Sequence, residues 1–149
     1  RFSICNTETR PLYQGRKTAR ELSRAGIKVT MFVDSAVNDA LDKCDKVFLG
    51  ADAILKSGVV NKIGSETIAQ VARLKKKKVY VIADSWKFSP KNVKIEVRSF
   101  KEVWRRAPKQ VKIKNLAFEA VPKKYITAVI SEYGLLKFDK FVKKADRII

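Results

Sequence analysis

The sequence predicts an α/β fold in which a parallel sheet is covered by helices. Short apolar runs alternate with helical patterns along most of the chain, which is the signature of strands connected by crossover helices. The runs are apolar at nearly every position, as in Val79-Tyr80-Val81-Ile82-Ala83, and strands of that kind are buried on both faces. The 149 residues, 46% of them apolar, suffice for one domain whose core removes about two-thirds of the unfolded surface from water.

Taken in order, Phe2 to Cys5 reads as the first strand and Arg16 to Ala25 as the helix after it. Val29 to Val33 follows as a strand, then a short turn of helix after Asp34 that Asp34 or Ser35 can cap. Lys46 to Leu49 is a buried strand. The next ten residues form a hairpin-like stretch in which Gly58 allows a tight return, and Gly64 precedes a helix from Ser65 to Lys75. Ile68, Val71 and Ala72 share that helix's inner face, and Lys75 to Lys78 complement its negative end. Val79 to Ala83 is the last clear parallel strand. Between Ser89 and Pro108 the pattern weakens to a connecting excursion, with Lys94 to Val97 strand-like and Trp104 a surface anchor. Pro122 then opens a predicted helix whose apolar face is Tyr125, Ile126, Val129, Ile130 and Tyr133, ending at Gly134. The tail from Phe138 to Ile149 is amphipathic and basic.

Composition narrows the chemistry. Histidine is absent, which removes Ser/His/Asp and Cys/His catalysis and most transition-metal sites within these residues. Cys5 and Cys44 are the only cysteines, lack metal or redox spacing, and read as two buried thiols. The absence of a membrane-length apolar run or a signal pattern predicts a soluble, cytoplasmic protein. Thirty-three Lys and Arg against fifteen Asp and Glu give a net charge of +18. That excess suits phosphate, nucleic acid or an acidic protein surface; it equally suits a lysine-rich solvated surface or neutralisation by an acidic part of a longer parent. No aromatic and basic interleaving of the base-stacking kind is evident, so no specific nucleic-acid partner is expected.

The first turn, Thr7 to Gly15, has neither a dinucleotide glycine pattern nor a Walker pattern. Asp34 resembles the ribose-binding acid of dinucleotide folds in position alone. The stretch from Asp52 to Lys62 differs. Asp52 falls just past the carboxyl end of a predicted parallel strand, where open α/β sheets bind ligands. Asn61 and Lys62 follow a tight return from it. An aspartate there can move a proton, a lysine can hold a phosphate or a developing oxyanion, and an asparagine can orient a hydroxyl. A purely structural hydrogen-bonded turn would use the same residues.

Five ordered blocks then converge: Asn6-Thr7-Glu8-Thr9-Arg10-Pro11 with Gln14-Gly15, Val33-Asp34-Ser35-Ala36, Leu49-Gly50-Ala51-Asp52, Gly58-Val59-Val60-Asn61-Lys62-Ile63-Gly64, and Trp86-Lys87-Phe88-Ser89-Pro90. Together with Asn115 to Gly134 they resemble the translation initiation factor 2B alpha/beta/delta family, which includes ribose-1,5-bisphosphate and methylthioribose-1-phosphate isomerases. The resemblance implies a Rossmann-like parallel sheet with helices on both faces, forming the C-terminal domain of a longer parent whose helical N-terminal domain is not in residues 1–149. It implies that Asp52 is the catalytic proton donor, that Asn61 and Lys62 contact a sugar phosphate, and that Lys87 is a further substrate-binding lysine of the ribose-bisphosphate branch. The family's catalytic cysteine belongs to an earlier motif, so that role does not pass to Cys5. Ser65 and Ala83-Asp84-Ser85-Trp86 depart mildly from the family pattern.

The implied activity is aldose-to-ketose isomerisation of ribose 1,5-bisphosphate by the parent, with this fragment alone inactive. No metal or redox cofactor is implied. A homo-oligomer built through this domain is, and the alternative is a non-enzymatic subunit that binds initiation factor 2. Methylthioribose-phosphate isomerase ranks third, because that branch lacks the Lys-Phe-x-Pro pattern of Lys87 to Pro90.

Overall fold

A computed structural model describes residues 2–147; Ile148 and Ile149, which close the amphipathic tail pattern, lie outside them. The described chain is a mixed α/β fold in two compact units, residues 2–44 with 97–115 and residues 45–96 with 116–147.

In the first unit, β1 (Ser3–Thr7) and β2 (Lys28–Phe32) pair in parallel from Ser3 opposite Lys28 to Thr7 opposite Phe32. Helix α1 (Gln14–Arg24) crosses between them, and a 3-10 turn at Asp34–Ala36 leads into α2 (Val37–Asp42), which buries Val37, Ala40 and Leu41. The β1–α1 crossing is very tight: a Cβ on Gly15 would sit 1.8 Å from the Thr7 carbonyl oxygen. Only glycine permits that approach. The predicted Asp34 cap is replaced by a longer-range role, since no side chain caps either the 3-10 turn or α2. The Asp34 carboxylate instead accepts the backbone N–H groups of Thr9 and Arg10 at 2.8 and 2.7 Å. The two thiols are half-buried, in place of the full burial expected, and are not joined in a disulfide; Cys44 Sγ donates to the Ala40 carbonyl at 3.1 Å.

In the second unit, β3 (Lys46–Leu49), β6 (Lys78–Ile82), β8 (Ala128–Ser131) and β9 (Gly134–Leu136) lie in that order. The first three are parallel, and β9 is antiparallel to β8. A second, wholly antiparallel sheet is formed by β4 (Ala53–Leu55), β5 (Gly58–Lys62) and β7 (Phe118–Pro122). Helices α3 (Ser65–Leu74) and α4 (Phe138–Ala145) complete the unit. Its core includes the fully buried Val79, Val81 and Val129 of neighbouring parallel strands, with Ile54, Val59, Val121 and Phe141.

Two expected elements are corrected. The helix expected from Pro122 to Tyr133 is instead the end of β7, a 3-10 turn at Lys123–Tyr125, β8, and the hairpin into β9. Its apolar spacing matched a helix face, yet Ile126, Thr127, Val129 and Ile130 are β-branched and favour strands. Val129 pairs in register with Val81 and is fully buried beside it. Lys94 to Val97 is not a strand: residues 94–96 are irregular and Val97 makes a single bridge; Ile95 and Val97 are exposed, so the apolar alternation there has no core to meet. The sheets are also mixed, with the antiparallel β4–β5–β7 sheet beyond what an all-parallel pattern predicts.

Candidate functional site

The parallel strands of the second unit share a carboxyl edge because Leu49 of β3 is level with Val81 of β6, and Val81 with Val129 of β8. Ligand sites in parallel α/β sheets form on that edge because successive loops converge there. The loops leaving it are Gly50 to Asp52, Ala83 to Ser89, and Glu132 with Tyr133. Asp52 is exposed at the open end of the β4–β5 hairpin. Its backbone N–H donates to the Val60 carbonyl at 2.8 Å, whereas its carboxylate has no hydrogen-bond or ion-pair partner among the described residues.

Asn61 follows Val60 on β5 and is half-buried. Its Nδ2 donates to Ser65 Oγ at 2.9 Å, and that hydroxyl donates to the Lys62 carbonyl at 2.6 Å. Its Oδ1 lies 3.7 Å from where a Cβ would stand on Gly50, which turns the amide toward the Gly50-Ala51-Asp52 loop. Lys62 is the last residue of β5, opposite Phe118. Successive strand residues project to opposite sides, so Asn61 and not Lys62 is the one directed at Gly50.

Lys87 arrives from the next loop. A 3-10 turn spans Ser85–Lys87. Phe88 then bridges Ile54 in parallel, and the Ser89 N–H donates to the Ile54 carbonyl at 2.8 Å. Chain continuity therefore runs Lys87 alongside the Asp52–Ala53 step. The structure thus ties the Asp52, Asn61 and Lys87 segments together through backbone contacts, with Lys62 at the adjoining strand end. Lys87 is exposed and its ammonium has no acidic partner among the described residues. Trp86 is 89% exposed.

Two further groups on this edge were hidden by the mistaken helix. Both carboxylate oxygens of Glu132 accept the Ser85 backbone N–H, at 3.2 and 3.1 Å, and the Tyr133 hydroxyl lies 3.1 Å from Ser85 Oγ. Hydrogen bonding with Ser85, more than any other cause, holds the Glu132 carboxyl below its ordinary value, against a smaller opposing effect of burial. Reading the β-branched run Ile126 to Ile130 as a strand would have put Glu132 just past its carboxyl end. In the first turn of α3, Glu119 of β7 accepts the Glu66 N–H at 2.8 Å. A groove of about 440 Å³ lies at the other end of the hairpin, lined by Lys56, Lys123, Asp139, Val142, Lys143 and Asp146. Two of its three lysines are already ion-paired, Lys56 with Asp146 and Lys123 with Asp139.

A mixed α/β protein with Asp52 and Lys87 on loops leaving the carboxyl edge of its parallel strands, and Asn61 and Lys62 on an adjoining antiparallel strand, is the class defined by this arrangement. Residues 1–138 match the model of the initiation factor 2 subunit family, and the chain belongs to that family. It is 40% identical over 144 residues to a ribose 1,5-bisphosphate isomerase of Archaeoglobus fulgidus, covering 91% of this chain and 46% of that protein. The corresponding isomerase of Methanocaldococcus jannaschii is 44% identical over 138 residues, covering 87% and 45%. Among solved structures, the translation initiation factor eIF-2B subunit delta of A. fulgidus superposes with a TM-score of 0.85 at 38% identity, covering 95% of this chain and 47% of that one. The 5-methylthioribose 1-phosphate isomerase of Pyrococcus horikoshii gives 0.87 at 29% identity, covering 97% and 45%. The chain therefore spans about half the length of the relatives it matches.

Proposed function

We propose that this chain is the Rossmann-like part of a sugar-phosphate isomerase that converts ribose 1,5-bisphosphate to ribulose 1,5-bisphosphate. The observation that carries the reading is the meeting of the Asp52 and Lys87 segments through the Ile54–Phe88 bridge, in a chain about 40% identical to proteins named for that reaction. Asp52 has an exposed carboxyl with no hydrogen-bond or ion-pair partner among the described residues, and a carboxyl so placed can reach a substrate proton. It carries the proton in the aldose-to-ketose change, together with the cysteine that the family resemblance assigns to the exchange. Lys87 and Lys62 offset substrate phosphate charge, and Asn61 orients a substrate hydroxyl toward the Gly50 loop. The parent is a cytoplasmic homo-oligomer, and none of these roles calls on a metal or redox cofactor.

The test is direct. Parent protein containing these residues should form ribulose 1,5-bisphosphate from ribose 1,5-bisphosphate, and the 149-residue chain alone should not. A parent inactive on ribose 1,5-bisphosphate but active on methylthioribose 1-phosphate would transfer the reading to that branch.

A second reading has an observation of its own: over 90 residues the chain is 47% identical to the translation initiation factor eIF2B subunit alpha of Dictyostelium discoideum. In that reading the same fold is a non-enzymatic subunit that binds initiation factor 2. Binding of initiation factor 2 by a parent devoid of isomerase activity would establish it.

A further inference from the structure

The loop that carries Lys87 is anchored at both ends. At its start the Ala83 N–H donates to the Ile130 carbonyl at 3.1 Å, and the Ser85 N–H donates to the Glu132 carboxylate. At its finish Phe88 bridges Ile54, and the Ser89 N–H donates to the Ile54 carbonyl. Between these anchors the turn is closed by Lys87 N–H to Asp84 carbonyl and Phe88 N–H to Ser85 carbonyl, at 3.2 and 2.9 Å. Lys87 therefore lies between the two anchors, in the turn that they hold.

The finish anchor is ordinary backbone pairing. The start anchor includes a side chain from the turn between β8 and β9, and a single N–H shared between two carboxylate oxygens is a charge-assisted bond. The Tyr133 hydroxyl contacts Ser85 Oγ, so two consecutive residues past β8 hold one serine. Tyr133 is itself fixed: its ring lies 6.2 Å from that of Phe141, which is fully buried, and the Lys144 ammonium stands 4.2 Å over it. The residue this construction places is Lys87, whose ammonium has no acidic partner among the described residues.

We propose that Glu132 is a positioning residue, with Tyr133 assisting: by holding Ser85 it sets the Ser85–Lys87 turn so that Lys87 presents its ammonium to a substrate phosphate over the carboxyl edge. Glu132 does not touch substrate. It acts through Ser85, and the proposal rests on the sugar-phosphate reading of the site. A glutamine at position 132 retains an acceptor oxygen for the Ser85 N–H, whereas alanine removes it, so the pair separates tethering from mere presence of a side chain.

The experiment has two arms on the 149-residue chain, both read by amide NMR. In the first, hydrogen exchange of residues 84–87 is compared in wild type, Glu132→Ala and Glu132→Gln. Alanine should accelerate exchange at Ser85 by about tenfold or more, and glutamine should restore most of the protection. Equal exchange in wild type and Glu132→Ala overturns the tether, whatever the ligand arm gives. In the second arm ribose 1,5-bisphosphate is titrated into the same proteins and into Lys87→Ala. Glu132→Ala and Lys87→Ala should weaken binding by similar factors, about fivefold or more, with no further loss in the double variant and recovery in Glu132→Gln. Additive losses, or a loss in Lys87→Ala with none in Glu132→Ala, refute positioning while leaving the site reading intact. Unchanged binding in Lys87→Ala removes that lysine from the site and takes the proposal with it.

Discussion

The Glu119 carboxylate on β7 accepts the backbone N–H of Glu66 at 2.8 Å and so caps α3 from fifty-three residues away. Ser65, the first residue of α3, donates its hydroxyl proton to the Lys62 carbonyl and takes its own hydrogen bond from Asn61. The helix and the strand carrying Asn61 and Lys62 are thereby joined through two separate contacts, since Glu119 also stands opposite Asn61 in the β5–β7 register.

Loss of this cap should be measurable. Glu119→Ala leaves a first-turn N–H without its acceptor and removes a negative charge from the positive end of the helix, a cost of about 1 kcal/mol. Urea denaturation should show a lower midpoint with unchanged slope, and Glu119→Gln should recover part of the loss.

Gly15→Ala should be far more damaging than the size of a methyl group suggests. Its Cβ would meet the Thr7 carbonyl at 1.8 Å and Glu8 backbone at 2.9 Å, and backbone cannot yield as a side chain tip does. A loss of roughly 3 kcal/mol or more is expected, seen as a lowered melting temperature. Asp34→Ala is a milder disruption of the same loop, because it unties the Thr9 and Arg10 N–H groups without forcing a clash.

Asp52→Asn should separate chemistry from folding. The hairpin uses the Asp52 backbone N–H and not its carboxylate, so the melting temperature should hold. In the isomerase parent, turnover of ribose 1,5-bisphosphate should fall by about a hundredfold or more, the scale of a lost general acid or base. Full turnover in the variant would exclude Asp52 from the proton transfer.

Acid stability should depend on Glu132. Its folded pKa lies below the ordinary glutamate value of 4.5, mainly through hydrogen bonding with Ser85. A depressed carboxyl stabilises the fold above its unfolded value, and the contribution is lost as pH falls through the folded one. The stability difference between wild type and Glu132→Gln should therefore be present near neutrality and shrink steadily below pH 4.5.

The net charge of +18 should attract nucleic acid only as a polyelectrolyte. Anisotropy titrations with single- and double-stranded oligonucleotides should give weak, sequence-independent binding that falls steeply with salt. Tight, sequence-selective binding at physiological salt would contradict the assignment of this charge to phosphate capture and solvation.

Much of the fold was legible because it is written in local pattern. Val79 to Ala83 is an apolar run of strand length, Ser65 to Lys75 has helical spacing, and both appear within a residue or so of the expected ends. The block around Gly50-Ala51-Asp52 and Asn61-Lys62 located the candidate site for the same reason: a strand end, a glycine turn and charged residues are adjacent in sequence. Periodicity failed at Pro122 to Tyr133, where apolar spacing suited a helix and β-branching a strand. The deciding fact is that Val129 lies between β6 and β9, a contact that no local window contains.

The sequence by itself therefore determined the α/β class, the family, and the residues able to do chemistry. Tertiary structure alone decided which of them meet. Strand register set the Lys87 loop beside Asp52 through Ile54 and Phe88, turned Asn61 toward Gly50, brought Glu119 to the first turn of α3, and brought Glu132 to Ser85 across forty-seven residues. Hydrogen bonds act over about 3 Å of space and are indifferent to separation along the chain, so these partnerships exist only once the sheets have formed.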